Sequence, residues 1–403
     1  MEKLKQYQAE TEKELQSILA WWMKNMPDKD SAGFYGEIDA FGAAHPEATR
    51  GLVLYSRILW TFSAAYLHTG SAELLTMSEN AYRYLMNHFR DPVHGGMFWS
   101  VNFNGKAEQD KKQVYGLAFC IYGLAEYYRA GKDEQALQTA IELFQLLEAH
   151  CRDCVHDGYF EAVSRDWSPV ADCRLSEKDL NEKKSMNTHL HILEAYSGLY
   201  KSWKDVKLAS AIFSLLNMFR LHIIDSRTHQ QHLFFSESWE IRSGIVSFGH
   251  DVEAAWLLYE AAASIRNTGM LADFKENAIE MVNASLQGVD TDGGMWYEYN
   301  KADLHFNREK HWWPQAEAMV GFLNAYQLTG NEQYLRHSIN SWDFIKDHIR
   351  DSRNGEWFWG IHEDGSRMIR EKAGFWKCPY HNSRACMEVS TRITGMLNRF
   401  PGL

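Results

Sequence analysis

Several things are missing from this 403-residue chain, and each absence narrows what it can be. It opens on MEKLKQYQAETEKELQ, charged and amphipathic, with neither the apolar run nor the small-residue cleavage site of a secretory signal. No stretch reads as long and apolar enough to span a membrane. Cysteine is sparse: Cys120, Cys151, Cys154, Cys173, Cys378 and Cys386 are scattered, which suits reduced thiols in the cytoplasm better than a disulfide framework. Cys151 and Cys154 form a CxxC, but without a second CxxC or a thioredoxin-like βαβ context it reads as structural. Positive charge is in deficit, and a net charge of −11 disfavours nucleic acid and anionic membrane as partners while leaving a neutral small molecule compatible. No GxGxxG or GxxxxGK[ST] loop is present, so no tightly bound nucleotide cofactor is indicated.

What the chain has in excess is aromatic residues, 14% of the total, including 15 Trp and 19 Tyr. Part of that excess forms core, and part suits flat platforms for a ligand. The aromatics also mark a repeat: an Asp, a few polar or Gly residues, then an aromatic pair. The copies are DSAGFYGEI (30–38), DPVHGGMFWS (91–100), DCVHDGYFEAV (153–163), DSRTHQQHLFFSE (225–237), DTDGGMWYEY (290–299) and DSRNGEWFWG (351–360), with first Asp residues 61, 62, 72, 65 and 61 positions apart. A period sustained from end to end argues for a single repeat domain over residues 1–403.

Between the aromatic turns, apolar residues recur at helical spacing, two helices per repeat. The helix after each turn is the more apolar, as in VYGLAFCIYGLAEYY (114–128), and should face inward. The helix before it, as in SENAYRYLMNHFR (78–90), keeps charges on one face and should lie outside. Glycine-containing turns followed by aromatics suit short β-hairpins, each joining an outer-helix C-terminus to an inner-helix N-terminus. The expectation is an all-α (α/α)6 barrel of six helical hairpins with the β-hairpins at one mouth; an open superhelix is disfavoured because no capping repeat is evident.

Polar and aromatic residues cluster where the inner helices begin: Arg57, Tyr115, Asn187, His191, His250, Glu253, Trp313, Glu317, His381 and Arg384. Asn187 and His191 are i,i+4, and His250 and Glu253 are i,i+3, so each pair shares a helix face, while His189 must point elsewhere. Each residue alone has a plainer reading. A histidine near a helix start is commonly a hydrogen-bonded structural group, Arg57 could tie helices together, Tyr115 could be core, and Glu253 could orient His250. Three His at matching positions of different repeats shift the balance toward chemistry. A metal is disfavoured, since no HExxH or other compact ligand spacing appears and Arg57 and Arg384 would oppose a cation. Histidine titrates near neutrality, so two of them can remove and deliver a proton at one carbon. Arg57 and a third His could hold the oxygen on which enediolate charge collects, and converging helix N-termini add positive potential there. Tryptophans beside a polar cavity, Trp313 and Trp376 above all, suit the apolar face of a sugar ring.

Five segments carry a resemblance: SRILWTFSAAY (56–66), KSMNTHLHILEAY (184–196), SFGHDVEAAWLL (247–258), HWWPQAEAMVGFLNAY (311–326) and FWKCPYHNSRACME (375–388). Their set, in order over nearly the whole chain, resembles that of cellobiose 2-epimerases in the N-acylglucosamine 2-epimerase superfamily of (α/α)6 barrels. The resemblance implies a cofactor-independent sugar epimerase, with His250 and His381 as the acid/base pair at C2 and His191 assisting ring opening or binding the reacting oxygens. It places Arg57, Tyr115, Asp179, Asn187, Glu253, Trp313 and Trp376 around the sugar. The implied route opens the reducing-end ring, forms a cis-enediolate and returns the proton to the other face; return at C1 would give a ketose. A mannose 2-epimerase acting on free mannose or glucose is the main alternative. A mannose isomerase, an (α/α)6 glycoside hydrolase using Glu253 and Glu317, and a non-catalytic sugar-binding protein are weaker ones. Loops 172–185, 299–311 and 361–378 are the candidates to hold a second sugar ring.

Overall fold

The computed structural model describes residues 1–399, and the last four residues of the expected domain lie outside them. Each repeat is an outer helix running toward a shared mouth and an inner helix running back from it. In chain order the pairs are α1 (Glu2–Asn25) with α2 (Leu52–Thr69), α3 (Ala72–Tyr84) with α4 (Val114–Gly131), and α5 (Glu134–His150) with α6 (Met186–Tyr200). They continue as α7 (Val206–Met218) with α8 (Phe248–Ser264), α9 (Thr268–Ser285) with α10 (Trp312–Thr329), and α11 (Glu332–Phe344) with α12 (Tyr380–Arg399). Each inner helix packs on the next, and α12 packs on α2, so the ring closes as the expected (α/α)6 barrel.

Inner helices are apolar nearly all round because both faces are covered; every residue of α4 from Val114 to Tyr127 is buried. Two of them approach their neighbours so closely that only glycine fits. A Cβ on Gly123 would lie 2.7 Å from the Ser56 carbonyl oxygen, and one on Gly321 would lie 2.7 Å from that of Val252. At the rear, inner helices hand over to outer ones through tight turns. α2 and α10 stop at Gly70 and Gly330 in the left-handed region, and Asn331 then caps α11.

The repeated Asp is an anchor for the turn. In the second repeat Asp91 Oδ1 accepts the amides of Val93 and His94, while Oδ2 receives the buried Lys112 ammonium at 2.9 Å. Lys184 on Asp153 (2.7 Å), Lys310 on Asp290 (2.7 Å) and Lys372 on Asp351 (2.6 Å) repeat the pairing. The first repeat corrects the sequence reading. Its anchor is the buried Asp28, paired with Arg50 at 2.5 Å, whereas Asp30, the expected start of the motif, is exposed. The fourth repeat has Val246 where the others have the cation, and Asp225 faces His232 at 3.7 Å instead.

The mouth is also laced together differently from the expected hairpins. Within five of the turns only an isolated bridge forms, such as Arg90 with Met97 or Arg152 with Tyr159. The stronger pairing joins neighbouring repeats. Residues leading into each inner helix pair antiparallel with residues after the next turn: Arg50–Gly51 with Ser100–Val101, Lys112–Gln113 with Ala162–Val163, and Lys184–Ser185 with Phe234–Phe235. Ile245–Ser247 with Glu298–Asn300 and Lys310–His311 with Gly360–Ile361 continue the series, and an Ile38 to Ala373 bridge closes it.

One expectation about membranes is overturned. Val206–Ile223, comprising α7 and its π turn, has a mean hydropathy of 1.3 over 18 residues and is long and apolar enough to cross a membrane by length and composition. Its apolar residues have a use in the barrel: Leu208, Ile212, Leu215, Leu216, Phe219 and Ile223 are all fully buried.

Candidate active site

The inner-helix N-termini converge on a cavity of about 480 Å³ at the mouth. The ten residues that the resemblance places at the reacting carbon or around the sugar all line it: Arg57, Tyr115, Asp179, Asn187, His191, His250, Glu253, Trp313, Trp376 and His381. Helix register sorts most of them into two layers. Tyr115, Asn187, His250, Trp313 and His381 stand in the first turns of their helices and form a rim. Arg57, His191 and Glu253 stand one turn deeper, so Arg57 does not open α2 as expected, because that helix begins at Leu52. Trp376 comes from the segment before α12 and Asp179 from the loop before α6.

Each of the three histidines is held through Nδ1. His191 Nδ1 lies 2.9 Å from Glu194 Oε2, His250 Nδ1 lies 2.9 Å from Ser247 Oγ, and His381 Nδ1 lies 2.6 Å from Glu317 Oε1. A carboxylate can only accept, so at His191 and His381 Nδ1 carries the proton and the Nε2 lone pair is left for the cavity. Burial pushes His250 down to about 3, with His191 adding to the shift. Burial lowers His191 despite Glu194, and lowers His381 strongly with help from Arg57 and Arg384. All three therefore stand as neutral bases in the resting site. Trp313 packs against two of them, 4.6 Å from His250 and 5.7 Å from His381 between ring centroids. His189 does point elsewhere: its Nε2 accepts the Tyr159 amide at 2.9 Å in the neighbouring turn.

The positive charge beside the histidines is Arg57. Nη2 donates to Tyr115 Oη at 2.8 Å, and the guanidinium lies over Phe119 at 4.2 Å and Tyr380 at 4.9 Å. Among the described residues no carboxylate pairs with it, so its charge is available to an oxygen in the cavity.

Behind the cavity lies a buried wall of three carboxylates around one guanidinium. Arg384 Nη2 donates to Glu253 Oε1 at 2.6 Å and to Glu317 Oε1 at 2.7 Å, while Nη1 meets Glu194 Oε1 and the Tyr380 hydroxyl. One positive charge cannot hold three negative ones in a dry site. Burial and then the neighbouring Glu317 push Glu253 up to about 8, so it keeps its proton at neutral pH. Burial opposes ionisation of Glu194 too, but Arg384, His191 and Tyr380 together pull it down to about 2. Glu253, Glu317 and His381 place possible ligand atoms within 4.8 Å of one another, yet a metal ion there would have to displace Arg384 from two carboxylates.

The family follows from comparison with known proteins. Residues 33–385 match the N-acylglucosamine 2-epimerase (GlcNAc 2-epimerase) family. The chain belongs to that family. Among its relatives, the cellobiose 2-epimerase of Bacteroides fragilis is 46% identical over 382 residues, covering 94% of this chain and 97% of its own. The solved cellobiose 2-epimerase from Spirochaeta thermophila DSM 6192 superposes with a TM-score of 0.93 at 40% identity, over 98% of this chain and 99% of its own. A D-mannose isomerase of Marinomonas mediterranea is 24% identical over 398 residues, covering 95% of this chain and 97% of its own. Membership makes this chain a carbohydrate isomerase in the broad sense that takes in epimerases.

Within this epimerase-family site the sequence reading missed several groups. Glu253 does not orient His250; Ser247 does, and the orienting i,i+3 pair is His191 with Glu194, a spacing visible in THLHILEAY. Glu317 and Arg384 were noticed at helix starts, but they line the wall and not the cavity. The outer cavity also holds Tyr297, Glu298, His311, Trp359 and Arg370. His311, stacked on Tyr297 at 4.0 Å and 3.1 Å from Glu309, is the N-cap residue of α10 and could have been found from that position.

Proposed function

We propose that this chain is a cofactor-independent sugar 2-epimerase that interconverts glucose-type and mannose-type reducing ends of β-1,4-linked disaccharides such as cellobiose and lactose. The observation that carries this reading is the set of three imidazoles anchored through Nδ1 around one cavity that also holds the unpaired guanidinium of Arg57. In it His250 and His381 exchange protons with C2 from opposite faces of a cis-enediolate. His191 assists ring opening, and Arg57 with Tyr115 takes the developing oxyanion. Trp313 and Trp376 stack on the sugar, Asn187 and Asp179 bind its hydroxyls, and the whole ring acts as one catalytic domain. Six free cysteines, five of them buried, fit a fold that works in a reducing cytoplasm.

The choice of a disaccharide rests on the outer cavity. Beyond the histidine layer, the loops add Ser176, Asp179, Tyr297, Glu298, His311 and Arg370, polar and aromatic groups that a single ring among the histidines leaves unused. The curated relatives at 33–46% identity are named cellobiose 2-epimerases, which supports the same substrate class. A hydrolase reading fares worse: Glu317 does not face the cavity and shares Arg384 with Glu253, so the two carboxylates do not flank a bond.

Incubation with cellobiose, lactose, mannose or glucose in deuterated water tests the reading. Deuterium should enter C2 of both epimers, fastest with the disaccharides. Exchange with none of the four would refute the epimerase, equal or greater rates on mannose would refute the disaccharide preference, and release of monosaccharides would mean a hydrolase.

A further inference from the structure

At the opposite end of the barrel the inner-helix C-termini surround a second cavity, of about 340 Å³, lined by Trp60, Tyr122 and Trp256 among others. Glu194 and Arg384 form part of its lining, although neither lines the catalytic cavity. The wall behind the histidines is thus reachable from the rear.

We propose that Arg384 is a positioning residue that sets His191 and His381 together from behind that wall, without touching substrate. The inference rests on the epimerase reading above. One terminal nitrogen holds Glu194, whose other oxygen takes His191 Nδ1 at 2.9 Å. The other holds Glu317 at 2.7 Å, whose same oxygen takes His381 Nδ1 at 2.6 Å. Two histidines on different helices, α6 and α12, therefore take their tautomer and ring orientation from one planar cation. His250 stands outside this arrangement, tied to Ser247. Without the guanidinium, Glu194, Glu253 and Glu317 share a dry site with no counter-charge and must take up protons. A protonated carboxyl can donate as well as accept, so it no longer dictates which nitrogen of the imidazole carries hydrogen. A lysine ammonium supplies the charge but cannot bridge both carboxylates in one plane.

The test is Arg384→Ala in the full chain, read by turnover and by the ¹⁵N signals of the histidine rings. Turnover is measured on whichever of cellobiose, lactose or mannose the unsubstituted chain converts. Loss of an orienting partner of this kind should lower kcat by about 10- to 100-fold with little change in KM. In the spectra His191 and His381 should move from a single Nδ1-protonated form to a mixture while His250 stays put. Added guanidinium chloride at tens of millimolar should enter through the rear cavity and restore both readouts; Arg384→Lys should recover only part of them. Unchanged signals at His191 and His381, or a shift confined to one of them, would overturn the proposal. An unsubstituted chain that converts none of the sugars would instead fail the functional reading, and the ¹⁵N signals would still decide the positioning role. Should the alanine variant not fold, Glu194→Gln and Glu317→Gln separate the two arms: each should disturb its own histidine, and disturbance of neither would refute the arrangement.

Discussion

The buried cation in the third repeat offers a direct measure of what holds the mouth in shape. Lys184 is fully buried, and its three ammonium protons are all used, on Asp153 Oδ2 at 2.7 Å and on the carbonyl oxygens of Asp157 at 2.5 Å and Glu237 at 2.6 Å. Replacing it by methionine keeps most of the volume and strands a carboxylate that is only 3% exposed. Breaking one side of a buried pair costs about 3–5 kcal/mol, most of it from the uncompensated charge. At an unfolding entropy near 2.1 cal/mol/K per residue, a chain of this length has roughly 0.85 kcal/mol/K, so Lys184→Met should lower Tm by about 4–6 °C. Adding Asp153→Asn should recover at least half of the loss. The amide oxygen still accepts from the Val155 and His156 amides that Asp153 Oδ1 now receives at 2.8 and 3.0 Å, and no charge is left unpaired. Thermal melts monitored by circular dichroism would check both variants. A shift under about 1 °C for the single variant, or a double variant no more stable than the single one, would refute the reasoning.

Three further outcomes are expected. Asp251 is fully buried with Oδ2 unpartnered, and burial raises it from 3.8 to about 7. Because its folded-state affinity for the proton is the higher one, the stability it confers is complete below its unfolded pKa near 4 and is lost as pH rises through 7. Asp251→Asn should therefore flatten the decline in stability across that window, a gain of at most about 4 kcal/mol above pH 8; urea titrations at pH 5 and pH 8 that show equal effects would contradict this. Burial lowers all three site histidines, His250 to about 3, so each takes up its proton only below pH 6.5. The acid limb of kcat/KM should fall clearly below that value, and a limb at 6.5 or higher would count against the assignment. Trp376→Ala should raise KM for cellobiose by about tenfold or more, and for mannose by less, if this half-buried ring spans both sugars; steady-state kinetics on the two substrates would show it.

The helix ring and its polarity were legible because both depend on local signals. Apolar periodicity distinguishes inner from outer helices, and the aromatic turns mark which ends face the mouth. Local spacing also served where one helix supplies two residues to the cavity, as with Asn187 and His191. It also set His250 and Glu253 on one face lining the cavity, but a shared face brings two side chains near without making them bond, and Ser247 on one side and Arg384 on the other are their partners. The wall as a unit was invisible, since Arg384 reaches Glu194 across 190 positions and Glu317 across 67. The ties between neighbouring repeats were equally hidden because backbone atoms make them and side chains leave no trace of the pairing. Asp30 was mistaken for Asp28 because both precede the aromatic pair, and only burial against Arg50 tells them apart. The membrane-like stretch in α7 shows the converse: an outer helix can be as apolar as a span when its inner face is spent on the ring.

Those backbone ties bear on how such an enzyme changes what it acts on. The loop from 164 to 183, which supplies Ser176 and Asp179 to the outer cavity, is bracketed by them: Val163 is paired with Lys112 on one side and Lys184 with Phe235 on the other. Main-chain hydrogen bonds do not depend on which residues carry them, so both ends of the loop stay fixed whatever lies between. Within the loop, Arg165 on Asp91 and the Cys173 carbonyl on Gln113 add ties to the preceding repeat, so the span between Arg174 and Lys183, where Ser176 and Asp179 lie, is the part least bound to the scaffold of that repeat.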